Sequence, residues 1–158
     1  MLEMKDVSFN YGNGVPVLEH VNVQIGEGEF IGLGGRNGCG KTTVTRLLMG
    51  LEKPVSGEIL YDGKVINDDD ASVRSHFMGY VFQRPERQMF RPTVREEVAY
   101  GPQQLGMEPI KVRAAVREAL EATGLTALAN AYPPNLNRGE KQRVAIASAV
   151  AMHTKYLI

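Results

Sequence analysis

The sequence predicts an α/β fold, and three observations carry that expectation. Strand-like and helix-like segments alternate along its 158 residues. Two alternating apolar segments open the chain as an antiparallel-looking pair. A complete G-x-x-x-x-G-K-[ST] run occupies Gly35–Thr42, between a predicted strand and a predicted helix.

In order along the chain, Leu2–Phe9 and Val17–Ile25 alternate apolar and polar residues across the turn-rich Asn10–Pro16. Glu29–Leu33 is expected as a short strand entering the glycine-rich run, and Lys41–Leu51 as the helix leaving it. Gly57–Asn67 reads as a hairpin turning on Asp62-Gly63. Met78–Phe82 is another short apolar strand. Pro85, Pro92, Pro102 and Pro109 then predict loops and short helices over Arg84–Pro109. In Ile110–Thr123 the residues Val112, Val116, Ala119, Leu120 and Thr123 share one face of an amphipathic helix, which Gly124 ends. Gly139–Met152 is apolar nearly all round from Val144 onward and is expected to be buried. Tyr156-Leu157-Ile158 opens a strand.

Bulk properties exclude several classes. Eighteen basic residues cancel eighteen acidic ones, which removes any global electrostatic case for nucleic acid or an anionic membrane surface. The single cysteine, Cys39, excludes an internal disulfide framework. No apolar run approaches the roughly 18–20 residues that span a bilayer. The opening MLEMKDVSF has no apolar signal core. A cytosolic, soluble, single domain is the expectation.

The chemistry of Gly35-Arg36-Asn37-Gly38-Cys39-Gly40-Lys41-Thr42 follows from its residue types. Glycines let the backbone curl so that successive N–H groups point at phosphate oxygens, and the following helix adds its positive N-terminal end. Lys41 brings a compact positive charge to the β- and γ-phosphates, and the Thr42 hydroxyl can ligate Mg²⁺. A nucleoside triphosphate site is expected, with Thr43 beside it. Cys39 reads as a small side chain that suits a tight loop.

Three further segments narrow the reading: Phe9-Asn10-Tyr11, Val81-Phe82-Gln83, and Leu136-Asn137-Arg138-Gly139-Glu140-Lys141-Gln142-Arg143-Val144-Ala145-Ile146-Ala147. With them, the whole chain resembles the ABC ATPases. The resemblance implies a P-loop NTPase fold with an N-terminal antiparallel β-subdomain, a parallel core sheet and a helical subdomain. It maps 1–30 and 57–67 to the β-subdomain, 31–56 and 76–84 to the core with its Walker A loop, and 85–138 to the helical subdomain. Residues 139–158 become the signature helix and the start of the Walker B strand, all within one incomplete domain, 1–158. It further implies that Tyr11 stacks on adenine, that Gln83 contacts Mg²⁺ and the attacking water, and that Asn137, Arg138, Gly139 and Glu140 cap the γ-phosphate of ATP on a partner subunit. Catalytic roles fall to Lys41 and Gln83.

The stretch Gly79–Phe90, with Gln83, Pro85, Glu86, Gln88 and Phe90, leads into Pro92-Thr93-Val94 and Val98-Ala99-Tyr100-Gly101-Pro102. It is similar to the cobalt and energy-coupling-factor branch of that family. This implies a peripheral subunit on the cytoplasmic face of the membrane. It would pair with a second ATPase and drive import of a vitamin or transition-metal ion through membrane coupling and substrate-binding subunits. Arg84, Arg87 and Arg91 read either as a coupling surface or as a solvated face. His76 and His153 are expected at the surface.

Two departures stand out. The family's Ser-Gly-Gly-Gln is here Asn137-Arg138-Gly139-Glu140. Asparagine can cap a helix as serine does. Arg138 either strains a position suited to φ > 0, at roughly 1–2 kcal/mol, or adds a guanidinium contact to phosphate. The family also continues past the Ile158 position into an Asp-Glu pair, so a truncated chain with little ATPase turnover of its own is expected. A non-hydrolysing regulatory partner in a heterodimer is the alternative, and a small-molecule P-loop kinase a more distant one.

Overall fold

The computed structural model describes residues 1–12, 14–85 and 89–158. They form two compact units, Met1–Arg74 and Ser75–Ile158.

In the first unit an antiparallel sheet runs in the order β2-β1-β3-β4, from β1 (Leu2–Asn10), β2 (Pro16–Ile25), β3 (Ser56–Tyr61) and β4 (Lys64–Val65). The apolar positions of β1 slip by one residue, from Leu2 and Met4 to Val7 and Phe9, yet all four are buried. A register shift between Met4 and Val7 absorbs the slip, with Asp6 at φ 52. Asp62 (φ 48) and Gly63 (φ 80) make the β3–β4 turn, as the Asp-Gly pair predicts.

Helix α1 (Lys41–Met49) buries Val44, Leu47 and Leu48, and a short helix, α2 (Ala71–Arg74), closes the unit. Arg74 is fully buried. Its guanidinium donates to the carbonyls of Leu47 and Leu48 at 2.7 Å, of Asp69 at 2.9 Å, and of Ile66. It thereby satisfies carbonyls at the C-terminal end of α1, where a cation is also favoured by the helix dipole. Burial pushes its pKa below the ordinary guanidinium value, with Asp69 acting against that. Gly50, at φ 75, ends α1; a Cβ there would lie 2.8 Å from the Asp69 carbonyl oxygen.

Glu29–Leu33 is not a strand. It carries no ladder, and Phe30 is 101% exposed. A strand exists through its pairing, and an apolar run without a hydrogen-bonded neighbour stays irregular.

The second unit packs α3 (Val94–Gln104), α4 (Pro109–Ala122) and α5 (Arg138–Val150) around one core. Val94, Val98, Val112, Val116, Leu120, Leu125, Val144 and Ala147 form it, none more than 5% exposed. Gly101 lets α3 approach the chain just after α5: a Cβ there would sit 2.9 Å from Met152 Cγ. Strands β5 (Met78–Gly79) and β6 (Tyr156–Leu157) pair in parallel, and Val81 N–H donates to the Ile158 carbonyl at 2.7 Å. Only Met78 and Gly79 of the expected Met78–Phe82 strand lie in a ladder.

The proline-rich stretch holds a helix, as expected, but a longer one than foreseen: α3 runs eleven residues with Pro102 inside it. Pro102 lies in the last turn, where its missing N–H removes a single intrahelical donor. The opposite end is well capped, by Thr93 accepting from Glu96 N–H at 3.2 Å.

Candidate nucleotide site and signature segment

Gly35–Gly40 loops without secondary structure into α1. Gly35 (φ 152), Gly38 (φ 81) and Gly40 (φ 94) take the left-handed conformations the loop requires. Two also meet close neighbours. A Cβ on Gly35 would lie 2.6 Å from Cys39 Sγ, and one on Gly40 2.6 Å from Leu18 Cδ2. The Lys41 ammonium reaches back across the loop, donating to the Gly35 and Arg36 carbonyls at 2.8 Å each. Gly40 offers no side-chain cap, and the first turn of α1 holds no acidic residue. The helix's first N–H groups and its positive end therefore face the loop, an arrangement that attracts anions.

Arg36, Asn37, Gly38 and Cys39 are exposed along this loop, as is Thr42. Thr43 differs: it is buried, and its Oγ1 lies 3.1 Å from the Tyr11 hydroxyl. Tyr11 is 55% exposed and meets Phe9 edge-to-face at 4.9 Å. The first unit thus gathers Tyr11, the loop, Lys41, Thr42 and Thr43.

The second unit holds Gln83 and the signature segment. Asn137 caps α5 by accepting from Glu140 N–H at 2.9 Å, and the Glu140 carboxylate accepts from Asn137 N–H at 2.9 Å. This is a reciprocal capping box. Arg138 is the first residue of α5 and is absent from the positive-φ residues, which are Asp6, His20, Asp62 and His153 outside glycine. The strain considered for Arg138 is therefore not incurred. Gly139 follows within the helix, and no Cβ clash would arise there beyond Asn137 Oδ1 at 3.4 Å.

Of the three arginines near Gln83, Arg84 lines a recess with it. The Arg91 guanidinium instead sits over Tyr100 at 4.5 Å and Phe90 at 5.1 Å. Arg87 lies outside the described residues, as do Glu86 and Gln88. Phe90 is exposed and meets Tyr100 edge-to-face at 4.9 Å. Sequence reasoning missed Glu97, which is buried and accepts from Phe90 N–H at 3.0 Å and Arg91 N–H at 2.9 Å. It also missed Arg74; an acid or a base inside an apolar pattern was the available signal for each. His76 and His153 are exposed as expected, and His153 Nε2 lies 3.9 Å from Glu118.

The family model described as ABC transporter matches residues 18–158. The whole chain is 40% identical to the energy-coupling factor transporter ATP-binding protein EcfA of Methanothermobacter thermautotrophicus, covering 51% of that protein. It is 44% identical to a putative ABC transporter ATP-binding protein of Pyrococcus furiosus, covering 60%. Among solved structures, cbiO1 of Clostridium perfringens, part of the ABC transporter complex cbiONQ, superposes with TM-score 0.86 at 34% identity, over 99% of this chain and 63% of that one. The ATP-binding cassette MJ0796, in a dimeric post-hydrolysis state with ADP and Pi, gives 0.87 at 31% identity, over 99% and 72%. The chain belongs to the ABC transporter family and has the α/β fold of its ATP-binding cassettes. It spans about half to three fifths of the length of these curated relatives. Among the described residues no helix is long and apolar enough to cross a membrane.

Proposed function

We propose that this chain is the ATP-binding part of an ABC importer subunit that couples ATP binding and hydrolysis to uptake of a vitamin or transition-metal ion. The observation that carries the nucleotide reading is the loop itself, with Lys41 held across it and an uncapped helix end behind it. Tyr11 stacks on adenine in this reading, its ring oriented by Phe9 and Thr43. Thr42, exposed beside Lys41, ligates a Mg²⁺ that takes its other ligands largely from phosphate oxygens and water; few protein ligands suit that ion. Asn137, Arg138, Gly139 and Glu140 face the nucleotide of a second subunit. The importer branch rests on the likeness to EcfA and cbiO1.

Docking of the membrane coupling subunit on the cytoplasmic face is assigned to a recess of about 220 Å³ lined by Tyr80, Phe90, Glu97 and Tyr100 among others. Its exposed Phe90, flanked by half-buried Tyr80 and Tyr100, suits an apolar anchor from the partner.

Binding of a fluorescent ATP analogue, competed by ATP with and without Mg²⁺, tests the core of this reading. Lys41→Ala should weaken binding at least about tenfold, as loss of a charge-assisted phosphate contact does. Unchanged affinity would remove the nucleotide assignment.

A further inference from the structure

Helices α3 and α4 are joined by a tight reversal in which Gly106 takes φ 72 and Met107 N–H returns to the Pro102 carbonyl at 3.1 Å. The two helices enclose a recess of about 370 Å³. It shares no lining residue with the recess assigned to the membrane subunit. Its floor is apolar and continuous with the core of the second unit. Ala99 (8% exposed), Val112 (5%) and Val116 (3%) belong to that core, and Met107 packs against it. Ala99 and Gln103 lie four residues apart on α3, as Val112 and Val116 do on α4, so each helix turns one stripe to the recess. Ala99 contributes a single methyl where a longer side chain would occupy the space.

Charge is arranged around this floor. Arg95 and Arg113, one from each helix, line the recess and are exposed. Among the described residues no hydrogen bond or ion pair engages either guanidinium; Arg95 bonds through its backbone N–H alone, to the Ala129 carbonyl at 2.9 Å. Glu96 is the acid of the described lining, and it lies in the first turn of α3, where the helix dipole favours a carboxylate. Pro109 opens α4 without a side-chain cap, so the positive end of that helix adds to the cationic side. The neighbouring Glu108 carboxylate is 3.8 Å from the Lys111 ammonium. Two guanidiniums against one carboxylate leave a net single positive charge over an apolar floor.

We propose that this recess binds a small amphipathic monocarboxylate, a medium-chain or aryl carboxylic acid, with its apolar body on Ala99, Val112, Val116 and Met107 and its carboxylate on the Arg95 and Arg113 guanidiniums. The planar guanidinium fork matches the two oxygens of a carboxylate, and a net charge of one balances a monoanion. The volume falls in the range of about 300–1,000 Å³ typical of small-molecule sites, which likewise set a few polar groups on an apolar lining. From Arg95 to Gln103 the α3 side of the lining extends roughly 12 Å at the helical rise, which suits an extended medium-chain acid. The floor residues are sunk so far that a slim chain or a ring edge reaches them and the broad face of a partner helix does not. Met107, unbranched and adaptable, accommodates either shape.

Octanoate and benzoate, with octanol as the neutral control, are titrated into the full chain at constant ionic strength. NMR follows the methyl signals of Ala99, Met107, Val112 and Val116 and the arginine Nε–Hε signals. Saturable shifts of both sets by at least one of the two acids are expected, with octanol roughly tenfold weaker than octanoate. Joint Arg95→Gln and Arg113→Gln substitution should weaken the acid roughly tenfold and leave octanol unchanged. Ala99→Met should remove binding of both by filling the floor. Thermal melts confirm that each variant folds, and Ala99→Val replaces Ala99→Met if the longer side chain overpacks the site. Lys41→Ala should leave the acid's affinity unchanged, so failure of the nucleotide reading registers separately from failure of this one. Shifts that grow without saturating, equal affinity for octanoate and octanol, or indifference to the Arg95, Arg113 and Ala99 substitutions overturn the proposal. A response to an acidic amphipathic peptide but to neither acid gives the recess to a protein partner and overturns it as well.

Discussion

The Tyr11 hydroxyl and Thr43 Oγ1 stand 3.1 Å apart, joining the residue after β1 to the first turn of the helix behind the phosphate loop. The contact fixes an exposed ring beside that loop. Tyr11→Phe should leave ATP affinity nearly unchanged and lower stability by about 0.5–1.5 kcal/mol through the lost hydrogen bond. Tyr11→Ala should weaken ATP binding by about 1–3 kcal/mol, the range of base–aromatic stacking, while leaving affinity for inorganic triphosphate unchanged. Competition titrations with the two ligands check this.

Gly40→Ala should damage fold and site together. The new Cβ would meet Leu18 Cδ2 at 2.6 Å and the Val17 carbonyl oxygen at 3.2 Å, at φ 94. The backbone strain alone costs about 1–2 kcal/mol. A lowered melting midpoint with weakened ATP binding is expected; an unchanged midpoint would contradict the loop geometry.

Arg74→Met should destabilise the chain by roughly 3 kcal/mol or more, since each buried carbonyl left without a donor costs about 1–3 kcal/mol. The carbonyls concerned belong to Leu47, Leu48, Ile66 and Asp69. Arg74→Lys should recover only part of the loss, because an ammonium has fewer donors and no fork. Urea unfolding measures both.

Asn137→Ala should lower stability by about 0.5–2 kcal/mol, and Asn137→Ser should restore most of it, as either oxygen can cap a helix. Equal stability of the alanine and serine variants would argue against the capping box in solution.

Residue patterns exposed some of this structure in advance and hid the rest for physical reasons. The Asp62-Gly63 turn and the Gly35–Thr42 loop depend on local backbone preferences, so they were readable from residue types. The cap at Asn137 was readable too. The segment Glu29–Leu33 was not, because a strand is decided by its neighbours and not by its own apolar residues. Helix α3 is longer than the short helices expected there, because Pro102 falls in its last turn and costs one intrahelical hydrogen bond while the earlier turns stay intact. The bulge at Asp6 repairs an alternation that looks imperfect on paper. Of the candidate site, the grouping of Tyr11 with Thr43, and of Gln83 with Arg138, needed tertiary structure, since neither pair is close in sequence.

The capping box at Asn137 has an electrostatic corollary. A helix start that must tolerate phosphate would be handicapped by a free acid beside it, and Glu140 introduces one. Its carboxylate accepts the Asn137 N–H, so the negative charge is held at the helix cap, and Glu140 does not line the recess shared by Arg138 and Lys141. The segment thus combines an acid that strengthens the fold with an outward face that remains cationic, and a single side-chain orientation separates the two.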